Sequence, residues 1–154
     1  MSTNYELMDI AESYGVNGIN IIMNDELQNY EYKTSYFILN LEDSTDIGSH
    51  WVSLIIEDGR ALYCDSFGLV PSLEVENWIH KNTNLKYVWN NNIFQDIKST
   101  YCGFFALSHI IYIQKTNKNL FEATNDFINL FNNNNNELND TILMELFNSG
   151  FENI

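Results

Sequence analysis

The 154-residue sequence has two cysteines, seven basic residues and no long hydrophobic run, and each shortage excludes a class of protein. The longest apolar runs, Val52–Ile56 and Phe104–Ile113, are too short to cross a bilayer. The N-terminal residues lack the basic and apolar regions of a secretory signal. We therefore expect a protein that is neither secreted nor membrane-bound. Two cysteines without such a signal indicate a reducing compartment and free thiols.

The shortage of basic residues makes the chain strongly acidic, with 21 Asp and Glu and a formal net charge of −14. Phosphate backbones are bound through clustered Lys and Arg, so we expect no nucleic-acid partner. The acidity is explained by solubility, with a basic partner as the alternative. The sequence also contains no CxxC pair, no HExxH and no glycine-rich phosphate loop, so we expect no metal and no cofactor.

What the chain does contain is enough apolar and aromatic residues, 45% and 14%, for a core, and we expect one domain spanning 1–154. Periodicity predicts strands at Ser35–Leu41, His50–Glu57, Arg60–Asp65 and Tyr87–Trp89, with a tight turn at Asp58-Gly59. It predicts helices at Tyr5–Ser13, Ser72–Lys81, Cys102–Lys115, Leu120–Phe131 and Leu138–Phe147. Residues 19–30 are ambiguous. The prediction is an α+β domain whose central mixed or antiparallel sheet is flanked by helices.

Cys102 has a special position, because a polar loop precedes it and an almost wholly apolar helix follows it. The N-terminus of a helix favours negative charge, and this lowers the pKa of a thiol and makes it more nucleophilic. The backbone N–H of Cys102 could also donate to an oxyanion. Gly103 removes side-chain bulk and would let a substrate backbone approach. The alternative is a buried core thiol, since free cysteine is among the most buried residue types.

A thiol nucleophile needs a base, and the chain has three histidines. His109 lies seven residues after Cys102 on one helix, or about 10 Å along the axis, which is too far for direct proton transfer. We expect it to be a core residue. His80 lies on the exposed side of a helix. His50 remains, at the start of a strand and after the loop STDIGS.

The predicted hairpin supplies a carboxylate to orient that base. Antiparallel pairing about Asp58-Gly59 returns Asp65 to the start of the strand at His50, whereas Glu57 lies at the far end. The alternative is that Asp65 only caps a turn in DSFG. In the loop before the nucleophile, the amide of Gln95 could donate to an oxyanion.

With His50, Asp65, Gln95 and Cys102 in this order, the sequence resembles the adenovirus-type maturation cysteine proteases (adenains) and their virophage and Polinton-like relatives. Three motifs carry the resemblance: GSHW around the base, YCDSFG with its carboxylate one residue before Phe-Gly, and QDIKSTYCGFF, in which six residues separate Gln from Cys-Gly-aromatic. A fourth piece lies upstream, where NDEL (Asn24–Leu27) and YFILNL resemble the family's short segment and strand ahead of the His. It covers roughly residues 4–113. These proteases share their fold with the proteases of SUMO-like modifiers.

The resemblance implies roles for these residues. Cys102 is the nucleophile, His50 the general base and acid, and Asp65 its orienter; Gln95 and the Cys102 N–H bind the oxyanion. Trp51 lines the cleft or, alternatively, packs in the core. The implied function is an endopeptidase that processes viral capsid proteins after small, glycine-containing motifs, in the virion and at the assembly site in the host cytoplasm.

The alternatives are a protease of ubiquitin-like modifiers and a non-catalytic acidic binding protein on the same fold. The adenovirus enzymes are basic and use DNA as an activator, whereas the charge of −14 argues against a DNA cofactor here. Cys64 lies inside the predicted hairpin, so we expect it to be buried.

Overall fold

The computed structural model of the chain describes residues 4–16, 18–42, 50–82 and 87–152, and its centre is a five-stranded sheet. The strands are β1 Ile19–Met23, β2 Ser35–Asn40, β3 Trp51–Glu57, β4 Arg60–Cys64 and β5 Val88–Trp89, and they lie side by side in this order. The inner pairs β2-β3 and β3-β4 are antiparallel, while the outer pairs β1-β2 and β4-β5 are parallel.

The β3-β4 hairpin turns at Asp58 and Gly59, whose φ angles of 52° and 74° are both left-handed. A two-residue turn with both residues at positive φ matches the twist of the flanking strands, and Asp-Gly is well suited to it. The turn sets the register, which pairs Ser53 with Cys64. The chain that leaves β4 therefore runs alongside the segment that enters β3.

Helices cover both faces of the sheet, as the α+β prediction requires, and the mixed sheet flanked by helices is confirmed. They are α1 Asn4–Ser13, α2 Leu73–Asn82, α3 Cys102–Lys115, α4 Leu120–Ile128 and α5 Asn139–Asn148. Short 3-10 helices occupy Asn24–Asn29 and Asn136–Leu138. Within the described ranges, no helix has the length and apolar character that a bilayer crossing requires.

The core is divided by the sheet into two clusters. Alternate β3 residues point to opposite faces, so Ile55 packs with α3 and its neighbour Leu54 packs with α2. Helix α3 is apolar on nearly every side. It is buried along most of its length because α1, α4 and α5 pack around it. This burial fixes the position of its first residue, Cys102, relative to the sheet.

His109 is a core residue, as expected from its spacing. Its Nδ1 lies 2.7 Å from the Ser53 hydroxyl and its Nε2 lies 2.9 Å from the Thr124 hydroxyl. Burial lowers the pKa of His109 to about 3, so the ring is neutral at physiological pH. Both ring nitrogens are satisfied, and the residue joins β3, α3 and α4.

Some predicted boundaries differ from the structure. Helix α2 spans Leu73–Asn82 instead of Ser72–Lys81, and its first residue, Leu73, is 70% exposed because it precedes the face that packs on the sheet. Helix α4 ends at Ile128 instead of Phe131. In the last turn, hydrogen bonds between residues three apart, the 3-10 pattern, replace the α-helical bonds between residues four apart. The loop STDIGS lies outside the described residues, and the domain boundary 1–154 stays a prediction.

Candidate active site

The hairpin register brings His50 and Asp65 together. His50 immediately precedes β3 and Asp65 immediately follows β4, and their side chains form a hydrogen bond of 2.7 Å between Nε2 and Oδ1. Asp65 is fully buried, and its Oδ1 also accepts from the backbone N–H of Phe67 at 2.8 Å. The carboxylate is thus held in place from two directions, so it can fix the orientation of the imidazole.

Phe67 restricts the imidazole further by stacking on it. The two ring centroids are 4.9 Å apart and the planes are inclined by 26°. The side chain of His50 keeps 16% of its surface exposed, so one edge of the ring remains accessible to solvent. A base that can exchange protons with a substrate needs this combination of fixed orientation and partial access.

Cys102 is the first residue of α3 and is 4% exposed. Its Sγ accepts a hydrogen bond of 3.5 Å from the backbone N–H of Trp51, the residue after His50. The thiol also hydrogen-bonds the His50 imidazole. Since Nε2 of that ring is engaged by Asp65, the nitrogen that faces the sulfur is Nδ1. The nucleophile, the base and the carboxylate are therefore connected by consecutive hydrogen bonds.

The electrostatics of the site favour a thiolate and an imidazolium. Burial raises the pKa of Cys102, but hydrogen bonds from His50, Trp51 and Gly103 and the charge of His50 outweigh it, so the net pKa lies below its ordinary value. Burial lowers the pKa of His50, but hydrogen bonds and charges from Asp65 and Cys102 raise it to about 9. Each group therefore favours the charged form of the other, and the thiolate is the nucleophilic form of Cys102.

Cys64 provides the contrast within the same molecule. It is buried in β4, as expected, and both cysteines are free. Burial and the nearby charge of Asp65 raise the pKa of Cys64, so it stays a neutral thiol. The chain therefore holds one thiol that is activated and one that is inert.

His80 is exposed on α2, as predicted.

A second loop, residues 90–95, supports the loop that carries Asp65. The Asn90 amide donates to the Asp65 carbonyl at 2.8 Å. The backbone N–H groups of Phe94 and Gln95 both donate to the Ser66 carbonyl. Gly68 lies so close to this second loop that a Cβ on it would be 2.9 Å from the carbonyl oxygen of Asn91. Only glycine fits there, since its φ of +71° is also left-handed.

Gly68→Ala is expected to destabilise the fold by about 3 kcal/mol or more, because it combines left-handed strain with a backbone clash. Gly15→Ala is the matched control: its φ of +70° is the same, but the space around it is open. That control should cost about 1 kcal/mol, the strain alone. Urea denaturation of both variants measures the difference, and equal losses would mean that the two loops do not touch at Gly68.

Gln95, predicted as an oxyanion donor, is buried and held at both ends of its amide. Its Oε1 accepts a short hydrogen bond from the Ser66 hydroxyl, and its Nε2 donates to the Ser99 carbonyl at 3.1 Å and to the Ser99 hydroxyl at 3.2 Å. An N–H that donates to an oxyanion must therefore share or exchange one of the bonds to Ser99. The role of Gln95 stays a prediction.

Trp51 and Gly103 were predicted to contact substrate. The side chain of Trp51 is only 5% exposed and belongs to the core cluster on the α3 side, so the core-packing alternative describes it better than the cleft-lining one. Its contribution to the site is the backbone N–H on Cys102. Gly103 is buried in the first turn of α3, and its N–H hydrogen-bonds the sulfur. Gly48, from the motif GSHW, lies outside the described residues.

Sequence reasoning missed Phe67, Asn90, Ser99 and Asp140. Phe67 could have been found, because continuing the hairpin register past Asp65 places it opposite His50. The other three carried no local signal, since Asn90 bonds the distant Asp65 carbonyl and Ser99 and Asp140 contact each other across 41 residues.

Comparison with known proteins supports a relationship to proteases over part of the chain. No protein-family model matches the sequence. A protein of Acanthamoeba polyphaga mimivirus named "Putative thiol protease" is 33% identical in an alignment of 75 residues, and the match covers 42% of this chain and 24% of the mimivirus protein. The chain thus spans about a quarter of the length of that relative.

The fold is similar to that of the ASFV pS273R protease. Its crystal structure superposes with a TM-score of 0.51 at 16% sequence identity, covering 83% of this chain and 65% of that one. The SUMO protease Ulp1, with its catalytic cysteine oxidised to a sulfinic acid, gives a TM-score of 0.37 at 18% identity, covering 71% and 52%. The first superposition shows that the chain shares the fold of the ASFV pS273R protease, whereas the second is too weak to add to it.

Proposed function

We propose that the chain is a cysteine endopeptidase in which Cys102, His50 and Asp65 form the catalytic triad. The observation that carries the proposal is the row of hydrogen bonds from the Asp65 carboxylate through His50 to the Cys102 sulfur. The same three groups serve nucleophilic catalysis on unrelated folds and are recognised by geometry and not by fold. The fold of the ASFV protease and the name of the mimivirus relative support the proposal.

In the first half of the reaction, the Cys102 thiolate attacks the carbonyl carbon of the scissile peptide bond, and the carbonyl electron pair moves to oxygen. The N–H of Cys102, at the start of α3, is one donor for that oxyanion, and Gln95 is the second. As the C–N bond breaks, protonated His50 gives its proton to the leaving amine. An acyl-enzyme and a free amine result.

In the second half, neutral His50 removes a proton from water as the water oxygen attacks the acyl carbon. The C–S bond breaks and Cys102 leaves as the thiolate, so the acid product is released and the starting charges are restored. Asp65 stabilises the imidazolium and keeps its Nδ1 facing the sulfur in both halves. Phe67 keeps the ring in plane with these partners.

We propose that the substrates are viral capsid proteins, cleaved after small, glycine-containing motifs during virion maturation at the assembly site. The resemblance to the adenovirus-type enzymes, including their virophage relatives, and the viral origin of the mimivirus relative support this choice. The net charge of −14 sets this chain apart from enzymes that are activated by DNA. We therefore expect cleavage that does not need nucleic acid.

The substrate class is tested by incubating wild type and Cys102→Ala with capsid proteins encoded by the same genome and, in parallel, with SUMO and ubiquitin conjugates. Cys102-dependent cleavage of a capsid protein, unchanged by added duplex DNA, is the expected result. Cleavage of the conjugates alone would replace the capsid substrates with those of a deconjugating protease. If no substrate is cut and Cys102→Ala behaves like wild type in virion assembly, the chain is a binding protein and the proposal fails.

A further inference from the structure

The loop that leads into the nucleophile is tied to the C-terminal helix by a chain of polar contacts. The contacts start at the Ser66 hydroxyl, pass through both ends of the Gln95 amide to Ser99, and end where the Ser99 hydroxyl donates to Oδ1 of Asp140 at 2.7 Å. Asp140 lies in the first turn of α5, 41 residues after Ser99. Since Ser66 directly follows Asp65, the contacts connect α5 to the loop that carries the catalytic carboxylate.

The direction of each hydrogen bond in this series is determined by its ends. The Ser99 carbonyl can only accept, so the end of the Gln95 amide that faces it must be the NH₂ group. The carboxylate of Asp140 also accepts, so the Ser99 hydroxyl donates its proton there. The Ser99 oxygen is then left to accept, and it does so from Gln95 and from the backbone N–H of Tyr101 at 3.2 Å.

These two donors flank the proposed oxyanion site. Gln95 is one of its predicted donors, and Tyr101 immediately precedes Cys102, whose N–H is the other. The Ser99 hydroxyl therefore holds the groups on both sides of the proposed oxyanion site. Asp140 orients that hydroxyl by accepting its proton. The neighbouring Asn139 strengthens the same link, because its buried amide donates to the Phe94 carbonyl at 2.9 Å.

We propose that Ser99 and Asp140 are positioning residues that orient Gln95 and the Tyr101–Cys102 backbone for oxyanion binding. The inference rests on the proposed function. Neither residue touches the reacting atoms: Asp140 acts through Ser99, and Ser99 acts through the Gln95 amide and the Tyr101 N–H. Losing them should therefore impair steps that build charge on a carbonyl oxygen and spare the nucleophilicity of the thiolate.

Two reagents separate these effects without knowledge of the natural substrate. p-Nitrophenyl acetate acylates a cysteine through a tetrahedral oxyanion, whereas iodoacetamide alkylates it by direct displacement and forms no oxyanion. The ratio of the two rates at Cys102 reports on oxyanion binding alone, because a change in the thiolate or in His50 would alter both. Cys102→Ala supplies the background for each reagent.

Ser99→Ala and Asp140→Ala are expected to slow acylation about 10-fold or more, because small misplacements of catalytic groups have large effects on rate. Alkylation should remain as in wild type. Ser99→Thr keeps the hydroxyl and should restore acylation. Glu145→Ala is the matched control, since it removes an exposed carboxylate from the same helix, and it should change neither rate.

Unchanged acylation in Ser99→Ala and Asp140→Ala would overturn the inference, and so would an equal fall in acylation and alkylation, which would indicate general damage to the fold. Failure of the proposed function looks different. In that case wild-type acylation and alkylation would not exceed the Cys102→Ala background.

Discussion

Cys102→Ala is expected to lower kcat for peptide cleavage by about a million-fold, to the level of the uncatalysed background, because the variant lacks the atom that bonds to the substrate. Cys102 is 4% exposed and its sulfur makes its hydrogen bonds within the site, so alanine should leave the fold intact. The loss should therefore appear in kcat with little change in the circular-dichroism spectrum. A fluorogenic peptide with glycine residues before the scissile bond provides the assay.

Cys64→Ala is the matched control for this substitution. It removes the other cysteine, which is also buried but whose pKa is raised by burial and by the charge of Asp65. Cleavage should persist in this variant, with at most a loss of stability from the smaller core side chain. Activity that survives in Cys102→Ala or vanishes in a folded Cys64→Ala would contradict the assignment of the nucleophile.

Asp65→Asn is expected to lower kcat by about ten thousand-fold while the protein stays folded. Asparagine has nearly the same shape, but it carries no charge to stabilise the imidazolium. Its amide can also present an N–H to Nε2 of His50, which would favour the wrong tautomer. Asp58→Asn is the matched control, because Asp58 lies at the distant hairpin turn, where asparagine tolerates the positive φ of 52°.

The pH profile of Asp65→Asn identifies the cause of its loss. In wild type, His50 must be protonated to protonate the leaving amine, so activity should fall as the pH rises through about 9, the pKa of His50. Asp65 helps to raise that pKa, so its replacement should shift the alkaline limb to lower pH. An unshifted limb in Asp65→Asn would mean that Asp65 supports the loop and does not act on His50.

The proximity of His50 and Asp65 could be predicted because it follows from local rules. Asp58-Gly59 specifies a two-residue turn, the turn specifies the register, and the register returns Asp65 to His50. For Cys102, the change from a polar loop to an apolar helix predicts only that the residue begins a helix. That this helix end lies beside His50 and Asp65 is what the resemblance to the adenovirus-type proteases implies.

Other features depend on contacts between distant segments and leave no local pattern. The parallel pairing of β1 with β2 could not be predicted from residues 19–30, where strand and helix signals overlap. The contact of Ser99 with Asp140 depends on how α5 packs against the loop. The burial of Trp51 depends on the close packing of α3 against β3, since an aromatic residue beside a catalytic histidine suits a cleft or a core equally well.

The rate of iodoacetamide alkylation at each cysteine, measured against pH by mass spectrometry, shows whether Cys102 is a thiolate paired with the His50 imidazolium. Cys102 should react with an apparent pKa below that of an ordinary thiol, Cys64 should stay unlabelled in the folded protein, and His50→Ala should raise the apparent pKa of Cys102. A Cys102 that titrates as an ordinary thiol, at about pH 8.5 and equally with or without His50, would mean that the two residues form no such ion pair.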